Sequence, residues 1–254
     1  MVTIRDIVRT QASLADHLGI QRWRAVVGGS MGGMQALEWA VMYPDRVGAL
    51  VVASTSAQAS AQQIAWSHIG RHAIESDSGF RGGDYYDAPV GEGPHRGLIN
   101  ARMMAQVTYR SDEVFTERFD RSLLGPLEFS DDNIFQVESY LDYHGDKLVR
   151  RFDANSYLRL NRAMDLHDIG RGRGGVERAL GRVRAPALVA SVRSDSLYPP
   201  VQQQRILDGL AAGAGARWAD IDSPHGHDGF LIETAQLAPQ IDSFLRSTEP
   251  RGTT

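Results

Sequence analysis

Apolar residues Ile4, Ile7, Val8, Ala12, Leu14, Ala15 and Leu18 recur at close to helical spacing, and Gly19 follows as a stop signal. Residues 4–18 are therefore predicted to form a helix. Trp23-Arg24-Ala25-Val26-Val27-Gly28 then reads as a short buried strand. After a glycine-rich turn, Met34 to Met42 reads as a helix stopped near Pro44, and Val47 to Ala53 as a second strand. Strand, turn, helix, strand is a βαβ unit, which implies a parallel sheet.

The texture changes from 60 to 175. This stretch is rich in Arg, His, Asp, Met and aromatic residues, with helical patterns near 60–76, 96–107, 112–121 and 133–144. Gly170-Arg-Gly-Arg-Gly-Gly175 closes it, with a mobile hinge as the plain reading of that run. The alternation returns with a strand at Pro186–Ser191, a helix near 200–212, a strand near 216–222 and a helix near 231–246. The expected organisation is an α/β core made of 1–59 and 176–247, a helical lid insertion at 60–175, and a disordered polar tail at 248–254.

Composition narrows the chemistry. The formal net charge is −4, which leaves no basic footprint for nucleic acid. Charges at Arg5, Asp6 and Arg9 break up any leader-like run, and no stretch approaches the roughly 18 apolar residues of a membrane span. The absence of cysteine excludes disulfides, thiolate metal sites and a cysteine nucleophile, and fits a reducing cytoplasm. No metal is expected.

Gly28-Gly29-Ser30-Met31-Gly32 is a G-x-S-x-G run, with Gly33 after it. An apolar strand leads into it and a helix leaves it, which is the setting of a nucleophile elbow. The turn needs small residues because side chains two positions either side of the serine would collide across the bend. It lifts the Ser30 hydroxyl above the sheet and offers the Met31 N–H as an oxyanion donor. The competing reading is a glycine-rich turn that only packs strand on helix. A phosphate loop is excluded, because no Lys-Ser/Thr pair follows the glycines.

A serine hydroxyl needs an adjacent base. His227 follows the last predicted strand in Asp222-Ser-Pro-His-Gly-His-Asp-Gly-Phe-Leu231, with His225 as its neighbouring competitor. Asp195 follows the preceding strand in Arg193-Ser-Asp-Ser-Leu-Tyr-Pro-Pro200. Strand-end loops are where α/β sites assemble. Taken singly, Asp195 also reads as a helix cap and His227 as a surface group. Together with Ser30 they give the chain order Ser…Asp…His, that of one of the three familiar serine triads.

VVGGSMGGMQALEWAVMYPDRV, QVESYLDYHGDKLVRRFDANSYLRLNRAMDLHDIGRGRGG, SDSLYPP and SPHGHDGFLIE together resemble homoserine O-acetyltransferases, a branch of the α/β-hydrolase fold. The likeness runs from residue 3 to about 246. It implies an α/β-hydrolase fold with a mostly parallel sheet and a helical lid. It also implies transfer of an acetyl group from acetyl-CoA, as co-substrate, to L-homoserine through an acyl-Ser30 intermediate. His227 is then the base and Asp195 its orienting acid. By position, Arg102 and Tyr109 match residues that bind the substrate's carboxylate and amino ends, and Asp228 the aspartate near the amino group. Family members are often dimers, so a homodimer is expected. No further cofactor is implied. Alternatives within the same fold are an esterase or thioesterase, a succinyl donor, serine as acceptor, or an inactive fragment.

By the same resemblance, family members carry roughly one hundred further residues before the segment that begins here, including the loop with the second oxyanion donor. The expectation is that the elbow strand becomes a sheet edge and that this polypeptide alone has little transferase activity. Met1 is read as a start misassigned inside a longer gene, because Val2-Thr3-Ile4-Arg5-Asp6 is already in family register.

Overall fold

The computed structural model describes residues 1–89, 91–127, 134–211 and 215–248. Its elements in chain order are α1 (Ile4–His17), β1 (Val26–Gly29), α2 (Met31–Met42), β2 (Leu50–Ala53), α3 (Ala61–Glu75), α4 (His95–Tyr109), α5 (Asp112–Phe119), α6 (Gln136–Val149), α7 (Ala154–Asp165), α8 (Val176–Leu180), β3 (Ala187–Val192), α9 (Pro200–Ala211), β4 (Ala216–Ile221), α10 (Gly229–Ile232) and α11 (Thr234–Ser247). The tail expectation at 248–254 falls, apart from Thr248, outside the described residues.

Two compact units emerge. One joins Met1–Ala59 to Leu166–Thr254, and the other is Ser60–Asp165. The first holds a sheet in the order β1-β2-β3-β4, with every neighbouring pair parallel. Every residue of β2 and β3 is buried, as expected for central strands covered on both faces. On one face, residues such as Leu50, Val52, Ala187 and Val189 pack with α1, α2, α8 and α9 through Val8, Leu37, Leu180 and Ile206. On the other, Val51, Leu188, Ala190 and Ile221 pack against Leu237 and Phe244 of α11. Within the described sheet, β1 is an edge, as the sequence led one to expect.

α1 starts on a capping box, in which Thr3 Oγ1 takes the Asp6 N–H and the Asp6 carboxylate takes the Thr3 N–H. α2 is apolar almost all round and correspondingly buried. Its one buried charge, Glu38, is met by Arg5 Nε at 2.9 Å and Arg173 Nη2 at 2.8 Å. These two arginines tie α1 and the glycine-rich 170–175 run to the back of α2.

That tie moves a boundary. Residues 166–175 belong to the sheet-bearing unit and not to the insertion, which ends at Asp165. Ile169 is fully buried and its N–H donates to Ala57 O, while Ala59 N–H donates to His167 O. Within the 170–175 run, the Arg173 side chain reaches Glu38 and donates to Ile169 O at 2.9 Å.

In the Ser60–Asp165 unit, α3 opens on a second capping box, from Ser60 and Gln63. Its core gathers Ile74, Leu98, Ala101, Leu148 and Ala154. Glycines let the helices close up: a Cβ on Gly97 would lie 2.5 Å from Ala73 O. α7, not anticipated from sequence, is held from within by the buried Arg71, which reaches Asn161 Oδ1 at 2.6 Å and Asp165 Oδ2 at 2.5 Å. Among the described residues, no helix is long and apolar enough to cross a membrane.

Candidate active site

β1 runs directly into Ser30, which adopts φ 54° and ψ −125°. A non-glycine residue pays roughly 1–3 kcal/mol for such a conformation, so its surroundings must hold it. Ser30 N–H donates to Ala53 O at 3.0 Å. Ser30 O accepts from Gly33 N at 3.0 Å, from Met34 N at 3.2 Å and from Thr55 Oγ1 at 2.7 Å. The serine backbone is thus gripped from β2, from the loop beyond it and from the first turn of α2.

Three glycines make room for the bend. A Cβ on Gly28 would lie 2.1 Å from Gly32 O, one on Gly29 2.3 Å from Phe230 Cε2, and one on Gly33 2.6 Å from Thr55 Cβ. The sequence argument expected the crowding at 28 and 32. At Gly32 an added Cβ meets nothing within 4 Å, so the second close approach lies one position on, at Gly33.

All three triad candidates sit at carboxyl ends of parallel strands in the same unit. Ser30 follows β1, Asp195 follows β3 and His227 follows β4. His227 Nε2 stands 2.9 Å from Ser30 Oγ, and His227 Nδ1 stands 2.8 Å from Asp195 Oδ2. The other Asp195 oxygen accepts the N–H groups of Leu197 at 2.9 Å and Tyr198 at 2.8 Å. A carboxylate can only accept, so the proton between Asp195 and His227 belongs on Nδ1. Nε2 is then the lone-pair nitrogen facing Ser30 Oγ–H, which is what a base needs.

The imidazole is buried and framed by rings. Tyr198 lies 5.0 Å from it at an interplanar angle of 34°, and Phe230 meets it edge-on at 5.5 Å. Phe230 also covers Gly29 of the elbow, so one side chain touches both the Ser30 turn and His227. Ser194 Oγ donates to Ser223 O at 2.6 Å and accepts Gly226 N–H at 2.9 Å, joining the Asp195 loop to the His227 loop. Gly226 has φ 64°, a left-handed turn that carries the chain into His227.

Beneath the elbow lies a polar layer that sequence reasoning missed. Gln203 Nε2 donates to Thr55 O, and Ser191 Oγ donates to Gln203 Oε1 at 3.2 Å, all buried. A Ser-Thr-Ser run at 54–56 directly after an apolar strand was the available signal.

Met31 is the first residue of α2, whose opening N–H groups have no partner within the helix. Gly33 and Met34 already spend theirs on Ser30 O, which leaves the Met31 N–H beside the serine. The dipole of α2 favours negative charge at this end of the helix. His225, the competing histidine, is two residues from His227 and does not make the Ser30 or Asp195 bonds that His227 makes. Asp228 follows His227 directly and is half-buried.

Arg102 and Tyr109 lie on α4, in the other unit. The Arg102 guanidinium sits over the Tyr109 ring at 5.6 Å. Gln106 stands between Tyr140 and Arg102. With its amide nitrogen toward the Tyr140 hydroxyl at 2.9 Å, its oxygen takes the Arg102 Nε–H at 3.1 Å. The guanidinium is therefore oriented along one helix by a ring and an amide. Among the described residues, no group of three or more His, Asp or Glu side chains is placed to hold a metal.

Residues 1–231 match the family described as the alpha/beta hydrolase fold. A homoserine O-acetyltransferase of Thermobifida fusca (strain YX) is 51% identical over 244 residues, which is 96% of this chain and 64% of that protein. The chain thus spans just under two thirds of the length of that relative. The crystal structure of homoserine O-acetyltransferase from Bacillus anthracis superimposes with a TM-score of 0.87 at 27% identity, over 96% of this chain and 65% of the other. That of esterase E22 does so with a TM-score of 0.87 at 25% identity, over 96% and 67%. With the elbow, the parallel sheet and a family match over most of its length, the chain belongs to the alpha/beta hydrolase fold family, and within it is similar to homoserine O-acetyltransferases.

Proposed function

We propose that this polypeptide carries the acyl-transfer machinery of a homoserine O-acetyltransferase, moving an acetyl group from acetyl-CoA to the hydroxyl of L-homoserine. The observation that carries the reading is the unbroken relay from Asp195 through His227 to Ser30, at 2.8 and 2.9 Å. Ser30 Oγ attacks the thioester carbonyl as its proton passes to His227 Nε2. Negative charge gathers on the carbonyl oxygen, where the Met31 N–H stabilises it. The C–S bond breaks, and the imidazolium returns the proton to the leaving thiolate. The homoserine hydroxyl then gives its proton to His227 and attacks the acyl-Ser30 carbonyl. Collapse releases the O-acetyl ester and restores Ser30. Asp195 holds the tautomer and the transient positive charge throughout.

In this reading the Arg102 fork binds the amino-acid carboxylate, with Tyr109 beside it, and Asp228 faces the ammonium group. The cysteine-free composition suits a cytoplasmic setting. A homodimer is part of the proposal, and light scattering on the purified chain tests it.

Single-turnover acylation is the test. Mass spectrometry of the chain after incubation with acetyl-CoA is expected to find an acetyl group on the Ser30 peptide, and none in Ser30→Ala. An unmodified Ser30 peptide, or equal labelling of Ser30→Ala, overturns the proposal. A hydrolase is the second reading, favoured by the equal structural match to an esterase. Discharge of acyl-Ser30 by water as fast as by homoserine selects it. Parallel incubations with succinyl-CoA, and with serine as acceptor, resolve donor and acceptor.

A further inference from the structure

We propose that Thr55 is a positioning residue for acyl transfer, its hydroxyl fixing the peptide plane that aims the Met31 N–H at the oxyanion. The inference rests on the acyl-transfer reading above. A trans peptide is planar, and its C=O and N–H point to opposite sides. Among the described residues no peptide bond is cis. The C=O of Ser30 and the N–H of Met31 belong to one such plane, so whatever grips that carbonyl sets the direction of that N–H.

Ser30 O accepts three donors. Those of Gly33 at 3.0 Å and Met34 at 3.2 Å come from the first turn of α2 itself, where shared bonds of this kind are common. The third is Thr55 Oγ1, 25 residues away in sequence, at 2.7 Å. A hydroxyl donating to a carbonyl also polarises the peptide beyond it, which makes the N–H on its far side a stronger donor.

The surroundings of Thr55 place this hydroxyl. Ser54 adopts φ 44°, a left-handed conformation uncommon for serine, and turns the chain as β2 ends. Its N–H donates to Ala190 O at 3.1 Å, which anchors the turn to β3. Thr55 is fully buried. Its carbonyl accepts Gln203 Nε2, and Gln203 Oε1 accepts Ser191 Oγ–H at 3.2 Å. One hydrogen bond thus joins strained Ser30 to the residue that follows strained Ser54. Strain of this kind persists only where the surroundings over-determine it, and it gathers at functional sites.

Three substitutions in the 254-residue chain separate the hydroxyl from the bulk of the side chain. Thr55→Val keeps the size and loses the hydroxyl, Thr55→Ser keeps the hydroxyl and loses a methyl, and Thr55→Ala loses both. The acyl donor is p-nitrophenyl acetate, which needs no coenzyme site, and the readout is acetylation of the Ser30 peptide against time and ester concentration. Thr55→Val and Thr55→Ala are expected to slow acetylation at saturation by about tenfold or more, a part of the roughly 10²–10³ lost with a whole oxyanion donor. The half-saturating concentration should not change, and Thr55→Ser should stay within about threefold of the parent. The Met31 amide nitrogen resonance should move upfield in Thr55→Val and Thr55→Ala and hold in Thr55→Ser, a readout independent of turnover. The opposite pattern, with Thr55→Val like the parent and Thr55→Ser slow, assigns the contact to packing and overturns the proposal. A changed half-saturating concentration at unchanged rate overturns it as well. Should Thr55→Val not fold, equal rates in Thr55→Ser and Thr55→Ala refute it alone. A parent chain left unacetylated at Ser30 refutes the catalytic reading and the proposal together, whereas an acetylated parent with indifferent variants refutes only the proposal.

Discussion

Phe230 occupies the space that a side chain at Gly29 would need: a Cβ there would come within 2.3 Å of Phe230 Cε2. Because the same ring meets His227 at 5.5 Å, the elbow and that imidazole share a packing partner. Gly29→Ala must displace Phe230 and with it the support of the imidazole. The expected cost is about 1–3 kcal/mol of stability, as for overpacking generally, together with slower acylation of Ser30. Phe230→Ala combined with Gly29→Ala should regain part of that stability in urea denaturation. Strictly additive losses would count against the contact.

Asp195→Asn separates tautomer control from packing. The amide oxygen can still accept the Leu197 and Tyr198 N–H groups, so the loop should keep its shape. The NH₂ group facing Nδ1 favours the wrong tautomer, and the acylation rate is expected to fall by about 10⁴. Stopped incubations with acetyl-CoA measure it. A loss of less than tenfold would remove Asp195 from its role.

Glu38 is a buried carboxylate shared by Arg5 and Arg173, whose side chains are themselves largely covered. Removing it by Glu38→Ala strands the guanidiniums and opens a gap, at an expected cost of about 3–5 kcal/mol. Replacing all three with apolar residues should cost far less, because the desolvation penalty disappears with the charges. Chemical denaturation of the two variants distinguishes a structural clamp from a dispensable pair.

His167 is buried in the same region, and burial holds its imidazole down to about 4 from the ordinary 6.5, against the pull of Glu38. The folded chain thus binds the proton less readily than the unfolded chain. The associated stability is complete above about pH 6.5 and is lost progressively as pH falls toward 4. The full loss is about 3 kcal/mol. His167→Gln should flatten this part of the stability curve relative to the parent. An identical slope in both proteins would refute the assignment.

Much of this arrangement was legible beforehand, because it rests on local signals. Gly28 to Gly33 between an apolar strand and a helix announces a tight bend wherever it occurs, and Asp195 and His227 could be placed by following strand ends. What escaped prediction depends on distant partners. α7 is polar by composition, with Asn155, Arg159, Asn161 and Arg162, and part of what fixes it in place is the buried Arg71, far away in sequence. The contact at Gly33 needs Thr55, and that at Gly29 needs Phe230, so neither could be assigned from the pentapeptide alone. The insertion boundary moved for the same reason: Arg173 reads as a surface residue until Glu38 is found behind it.

The Ser194 hydroxyl, which donates to Ser223 O and accepts from Gly226 N–H, couples the Asp195 loop to the His227 loop. Opening either loop breaks these bonds, at about 1 kcal/mol each, so displacement of one loop loosens the other. On gentle warming, amide protection in the two loops should therefore be lost together and not one loop at a time.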